Sequence, residues 1–334
     1  MTYIPMMFYF VGRAIPVMAH GSDTEIYNRI GRLLNGVFFC FLLLAVVGII
    51  LYFCFPGIEK NVAFYVGTSQ SAYFIIRMTS IVWSPIIFGF LMSITTTFYF
   101  FMLMQKGDKK YYLYIAITWL ALSLSVCRGG ILSFLIGFII ITFFFRNDWR
   151  RALQSFILIS LIICSVSLVA RGDFAIVKWI FTSSKDTAQM TTGVTRVNLW
   201  EESMESIRRK PMGYGIGKAG WTAFEYMRNS SDAAPYSTDG WYIKTACEIG
   251  VYGLAAYLLM TIAFLFNVFK FVRRRSTTML TFCMVSIIIV HAQNVVSNVL
   301  DFYPYVTIYW LLLGLSQGIV RLEKTKAPEA TKAA

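Results

Sequence analysis

Long apolar runs, separated by short polar or basic stretches, set the pattern of this chain. A run from Leu34 to Pro56 is long enough to cross a bilayer as one helix, and a second goes from about Ile81 to Met104. The stretch from Tyr111 to Phe145 is too long for one helix and is interrupted once, by Cys127-Arg128-Gly129-Gly130. Lys106, Lys109 and Lys110 precede it, and Arg146, Arg150 and Arg151 close it. Two short helices turning at Arg128 satisfy both facts, because short basic loops stay on the cytoplasmic side. Further spans are expected at 152–170, 246–269, 278–297 and 304–320. Residues 2–18 are apolar but broken by Pro5, Arg13 and Pro16, and read as a poor span or an interfacial segment. The pattern predicts an all-α, polytopic transmembrane bundle of roughly 8–10 spans. It lacks the short alternating segments of a membrane β-barrel.

The basic clusters at 106–110, 146–151 and 270–275 agree on one orientation. Residues 1–170 then form N-terminal transmembrane helices, 171–245 a large extracytoplasmic loop, and 246–320 C-terminal transmembrane helices. Residues 321–334, basic and Ala-rich, form a cytoplasmic tail expected to be disordered. Residues 19–33 fall inside and Met1 outside, an arrangement that one or more upstream helices would account for. The first run has no basic start and does not read as a cleavable signal.

The outer loop carries its own pattern. From Val194 to Lys210, the residues Val197, Trp200, Met204 and Ile207 recur at three- and four-residue intervals and predict a surface amphipathic helix. Glu205 and Arg209 form a favourable pair, and Pro211 ends the helix. Arg196 falls in its first turn, where a cation opposes the helix dipole, so it reads either as a solvated charge or as a ligand. In Pro211-Met212-Gly213-Tyr214-Gly215-Ile216-Gly217, alternate glycines permit tight turns and close approach of a ligand. Consecutive amides there can cradle an anion, or the run simply ends the helix. It matches no nucleotide fingerprint, since no strand precedes it and no GK[ST] ends it. Asp239 is a candidate general base or a helix cap. Glu248 opens an apolar span, where a carboxylate needs a buried partner or a wetted headgroup position.

Composition narrows the function classes. The chain is 57% hydrophobic and only 14% charged, well below the roughly one quarter charged of soluble domains. Its net charge of +13 fits positive-inside loops, or an anionic substrate such as a lipid phosphate. Because the charge is scattered between spans, nucleic acid is not an expected partner. Cys40, Cys54, Cys127, Cys164, Cys247 and Cys283 lie in or beside apolar runs and read as small hydrophobes. His20 and His291 have no metal-site spacing, and neither a metal nor a cofactor is expected. Arg128 is the most informative single residue. An arginine near the helix centre costs roughly 2.5–3.5 kcal/mol on insertion scales, so with no adjacent acid it asks for an external anion. Arg77 is a weaker instance, and the planar guanidinium of either can give phosphate two parallel hydrogen bonds.

Several of these pieces, in order, resemble the O-antigen polymerase and ligase superfamily of bacterial envelope glycan assembly. They are Arg77-Met78-Thr79-Ser80 with Trp83-Ser84-Pro85, Ser125-Val126-Cys127-Arg128-Gly129-Gly130, Arg196 with Trp200, the 211–217 run, and Glu248-Ile249-Gly250-Val251-Tyr252-Gly253. The resemblance covers about 70–320. It implies metal-independent glycosyl transfer on the periplasmic face of the bacterial inner membrane, from a glycan on undecaprenyl pyrophosphate. The acceptor would be a hydroxyl on another lipid-linked repeat, and a chain-length regulator is a possible partner beside membrane lipids. Arg128 and Arg196 would hold the pyrophosphate with Arg77 assisting, and Arg196 and Asp239 would act in catalysis. Gly213, Gly215, Gly217 and Glu248 would support the loop. Ligases of this superfamily usually show His-Asn before the glutamate motif, and here that place reads Thr238-Asp239-Gly240, which favours a polymerase. The alternatives are a ligase acting on a lipid A core or protein, a transporter or channel for an anionic solute, and a structural membrane subunit.

Overall fold

The structure is a computed structural model that describes residues 3–18, 23–57, 77–82, 84–145, 153, 157, 187–220, 240–274 and 278–332. Nine helices can be followed through those residues: α1 (Tyr3–Met18), α2 (Asp23–Cys54), α3 (Pro85–Lys106), α4 (Lys110–Leu124), α5 (Arg128–Phe144), α6 (Thr187–Arg209), α7 (Trp241–Arg274), α8 (Thr278–Val296) and α9 (Tyr305–Lys332). Short 3₁₀ turns lie at Ser80–Val82 and Val299–Asp301, and the described residues contain no strand. Five of these helices are long and apolar enough to cross a membrane, among the described residues, and α5 is a shorter apolar helix. The chain divides into two units. The first takes residues 1–176, 268–290 and 302–334, and the second takes 177–267 and 291–301.

The first unit is built around α3. Of its most apolar window 89% is buried, against 28% for α2, so α3 is the central helix and α2 a peripheral one. Helix α3 begins cleanly. Ser84 accepts a hydrogen bond from the Ile87 amide, Pro85 occupies the first turn, and Gly107 closes the far end in the left-handed conformation. Its buried Thr95, Thr96 and Thr97 donate to the carbonyls of Leu91, Met92 and Ser93, so these three hydroxyls are satisfied within the core. Helix α2 turns one stripe inward (Ile26, Ile30, Leu34, Phe38, Leu42) at four-residue spacing. Phe38 stacks on Phe98 of α3 at 4.2 Å, and Phe282 of α8 meets both rings edge-on.

Helices α1 and α9 form the closest pair in this unit. A side chain at Gly12 would collide with the Leu311 carbonyl, and one at Gly314 or Gly318 would collide with the carbonyls of Tyr9 or Arg13. Gly314 and Gly318 are a small-xxx-small pair, the spacing that lets helix backbones approach in lipid. This pairing explains why residues 3–18 form one unbroken helix, where the prolines suggest an interrupted run. Pro5 lies in the first turn, where no amide donor is needed, and Pro16 lies in the last.

Other boundaries also move. Helix α2 begins at Asp23 and takes in the polar residues expected to precede a span at Leu34. Helix α9 runs on to Lys332 through the segment whose composition suggests disorder. Ala, Glu and Lys there are good helix formers, and Glu323 is anchored by the Tyr27 hydroxyl at 2.6 Å. The two short helices expected between Tyr111 and Phe145 are α4 and α5, with the turn at Ser125–Cys127. The expected span at 152–170 lies outside the described residues, apart from Leu153 and Ile157, which are helical.

In the second unit, α6 packs on the first half of α7. Ile207, Ala219, Ala246 and Cys247 make a small apolar core, with Tyr214, Ile243 and Leu254 against it. Of the expected apolar stripe on α6, Ile207 is buried and Trp200 half-buried. Met204 is exposed, whereas Ser203 and Ser206 are buried beside Ile207. Small residues let α6 come close to α7, and both serines satisfy their hydroxyls within the helix on Leu199 and Glu202 carbonyls. Val197 lies among residues whose side chains are not described.

Candidate functional site

In the first unit, the residues around Arg128 form a fastened turn. Helix α4 ends at Leu124, leaving carbonyls with no partner inside the helix. The segment Arg77-Met78 takes three consecutive ones. The Met78 amide donates to Leu124 O at 3.1 Å, and Arg77 donates through Nε to Ser125 O at 3.1 Å and through Nη2 to Val126 O at 3.3 Å. A cation at a helix C-terminus also complements the dipole. Val126 has φ 53°, a left-handed conformation that a β-branched residue resists, so the arginine clamp falls where the backbone is strained. Buried Cys127 follows, and Arg128 is the exposed first residue of α5. Arg128 therefore stands at the positive end of a helix dipole, where an anion gains from both and a cation alone is disfavoured.

In the second unit, the two glycine motifs are one structure. Helix α7 opens at Gly250, whose φ and ψ of 77° and 173° are not helical. The carbonyls of Cys247 and Glu248, which a continuous helix would use internally, instead accept the amides of Tyr214 (2.7 Å) and Gly215 (2.9 Å). In return the Val251 amide donates to Pro211 O at 3.0 Å. Three such bonds stabilise the pairing by about 3 kcal/mol at a net 0.5–1.5 each. The backbones meet so closely that a Cβ at Gly213 would strike the Glu248 carbonyl, and one at Gly250 would strike the Pro211 carbonyl. Gly213 also needs its φ of 85°, a conformation open to glycine.

Glu248 completes this joint with its side chain. Its Oε1 accepts the Gly217 amide at 3.1 Å, and the Ala219 amide donates to it as well. Lys244, one turn earlier, lies 3.8 Å from the same carboxylate and 2.7 Å from Asp301 Oδ2. All three side chains are at least three-quarters buried, so one ammonium serves two carboxylates. Nearby, the Tyr242 hydroxyl is 2.7 Å from His291 Nδ1, and Trp241 packs on Tyr257.

The structure thus brings Gly213, Gly215, Gly217 and Glu248 together, and it ties Arg77 to the two residues just before Cys127-Arg128. Arg196 lies in the body of α6, since that helix begins at Thr187 and not at Val194; its side chain is not among those described. A first-turn clash with the dipole therefore does not apply to it. Asp239 lies outside the described residues, immediately before buried Gly240. Lys244 and Asp301 are absent from the sequence reading. Lys244 and Glu248 at i, i+4 were a readable signal, whereas nothing local marks Asp301. No group of three or more metal-ligating side chains occurs among the described residues.

Together these features define a multi-pass helical membrane protein whose apolar helices are interrupted by two fastened polar turns. A family model described as O-antigen ligase matches residues 113–258, under half of the chain, and supports the O-antigen polymerase and ligase superfamily. The matched stretch takes in Arg128, Arg196, the glycine run and Glu248, and begins after Arg77. The search of curated proteins found no match.

Proposed function

We propose that this chain polymerises undecaprenyl-pyrophosphate-linked oligosaccharide repeats by glycosyl transfer on the periplasmic side of the bacterial inner membrane. The observation that carries this reading is the family match over 113–258, which coincides with both fastened turns. The anomeric carbon of the donor glycan would pass to an acceptor hydroxyl, with pyrophosphate on its lipid as the leaving group. Developing charge on that pyrophosphate asks for fixed cations; Arg128 and Arg196 are the candidate ligands, and Arg77 assists by holding the turn beside Arg128. The proton of the acceptor hydroxyl asks for a base, the role given to Asp239. Ligation to a lipid A core or protein is the second reading, favoured by the description of the matching family. Thr238-Asp239-Gly240, in place of the His-Asn expected of ligases, favours the polymerase.

Deleting the gene and resolving surface glycans on a gel separates the two. Loss of long chains with one repeat still attached supports polymerisation. Loss of all attached glycan, while long lipid-linked chains persist, supports ligation. An unchanged profile removes both.

A further inference from the structure

The glycine run reads in the sequence as part of a water-facing loop, yet its exposed side chains are apolar. Met212 is 74% exposed and Ile216 is 68% exposed. On α7, to which the run is bonded, the neighbouring Ile249, Val251 and Tyr252 are exposed too. Further along, α7 exposes Leu259, Met260, Ile262 and Phe266. Only 11% of the most apolar window of this candidate span is buried inside the protein, so its outer face is a lipid-facing one. Met212 and Ile216 add exposed apolar side chains beside the Gly250 end of that helix.

The backbone supplies a second, independent observation. Non-helical backbone survives at membrane depth only where its polar groups find partners in protein. The amides of Gly213, Tyr214, Gly215, Gly217, Lys218 and Ala219 all donate to protein acceptors, to Lys210 O, Cys247 O, Glu248 O, the Glu248 carboxylate and Gly215 O. For these six amides the pairing meets what membrane depth demands. Lys210, whose ammonium lies 5.1 Å from the Tyr214 ring centre, and Lys218 bracket the run. Long basic side chains on either side of an apolar tip are suited to reach phosphate headgroups while their stems lie along hydrocarbon.

We infer that residues 211–217 are a membrane-inserted wedge, with Met212 and Ile216 in the acyl-chain region of the bilayer just below the phosphates. The partner is the phospholipid bilayer itself. Glu248 and the opened turn of α7 are then what makes a non-helical segment tolerable at that depth, and this holds whether or not the chain is a polymerase.

The test uses the unsubstituted chain in phospholipid vesicles containing a lipid with a photoreactive diazirine in its acyl chain. After photolysis, mass spectrometry should find lipid adducts on the 211–220 peptide at a yield comparable with that on the α7 peptide containing Leu259 to Phe266. The polar Gly107–Lys110 turn should carry none. Adducts on the α7 peptide with none on 211–220 overturn the inference. In a second measurement, Met212→Asn with Ile216→Asn should lose most of the label from 211–220 and keep it on α7. Undiminished label at 211–220 in that variant would show that other atoms, not these two side chains, meet the lipid, and would equally overturn it.

Discussion

The turn before Arg128 and the joint at Gly250 solve the same problem in different ways. Each is a break in apolar helix that leaves carbonyls open. At the first, a side chain from a distant segment closes the gap: Arg77 donates to Ser125 and Val126. At the second, another stretch of backbone does so: the amides of Tyr214 and Gly215 replace those of the helix. The side-chain solution depends on donor chemistry and tolerates variation in shape. The backbone solution depends on shape, because two main chains must meet with no Cβ between them, and is indifferent to charge. Beside the break fastened by a side chain, Arg128 is the exposed first residue of α5.

The contrast can be broken most severely at the joint. Gly213→Ala or Gly250→Ala forces a methyl group into a carbonyl and demands a left-handed alanine, so each should destabilise the chain by at least about 2 kcal/mol. Thermal unfolding in detergent should show this, and a variant that unfolds like the parent would undo the account of the joint. At the other turn, Arg128→Lys should lower transfer activity by about 100-fold while leaving thermal unfolding unchanged. The charge is kept there but the bidentate fork is lost. Near-normal chain lengths from this variant would take Arg128 out of the mechanism. Arg77→Gln should instead lose about 1.5–3 kcal/mol of stability, the value of hydrogen bonds from a charged donor, with Arg77→Lys falling between it and the parent. Activity lost without any change in unfolding would move Arg77 from clamp to substrate ligand. The smallest effect belongs to Glu205→Gln. It removes an exposed i, i+4 ion pair with Arg209 and should change stability by no more than about 0.5 kcal/mol. A large loss there would mean that α6 is held by charge and not by the close packing of Ser203 and Ser206.

The helical class and the turn at Arg128 were legible in the sequence because both are written in local composition. An apolar stretch with basic ends and one internal Cys-Arg-Gly-Gly admits few arrangements, and α4 and α5 are the one it adopts. The joint was not legible in the same way. Its bonds link Pro211–Gly215 to Cys247–Val251, and main-chain pairing between non-regular segments leaves no periodicity to read. The only trace is glycine itself, Gly213 and Gly215 in one run and Gly250 in the other. The small residues on the buried side of α6 were not legible for a related reason. A stripe of large apolar residues marks the inner face of a helix in water, but against a lipid-flanked partner the small residues Ser203 and Ser206 go inward and Met204 goes out. Arg77 carried no sign of its partners, since a guanidinium that clamps a carbonyl and one that awaits a phosphate look alike in sequence.

The clasp between α1 and α9 bears on how the protein is made. The backbone of Tyr9 meets Gly314, roughly 300 residues further along, which at about 5–20 residues per second is translated some 15–60 s later. During that interval the first helix, with Arg13 in it, is without its closest neighbour. Assembly of the first unit is therefore gated by the end of synthesis and not by its beginning. An enlarged residue at Gly314 should act as a late block, sparing insertion of α1 and arresting the bundle at its final step.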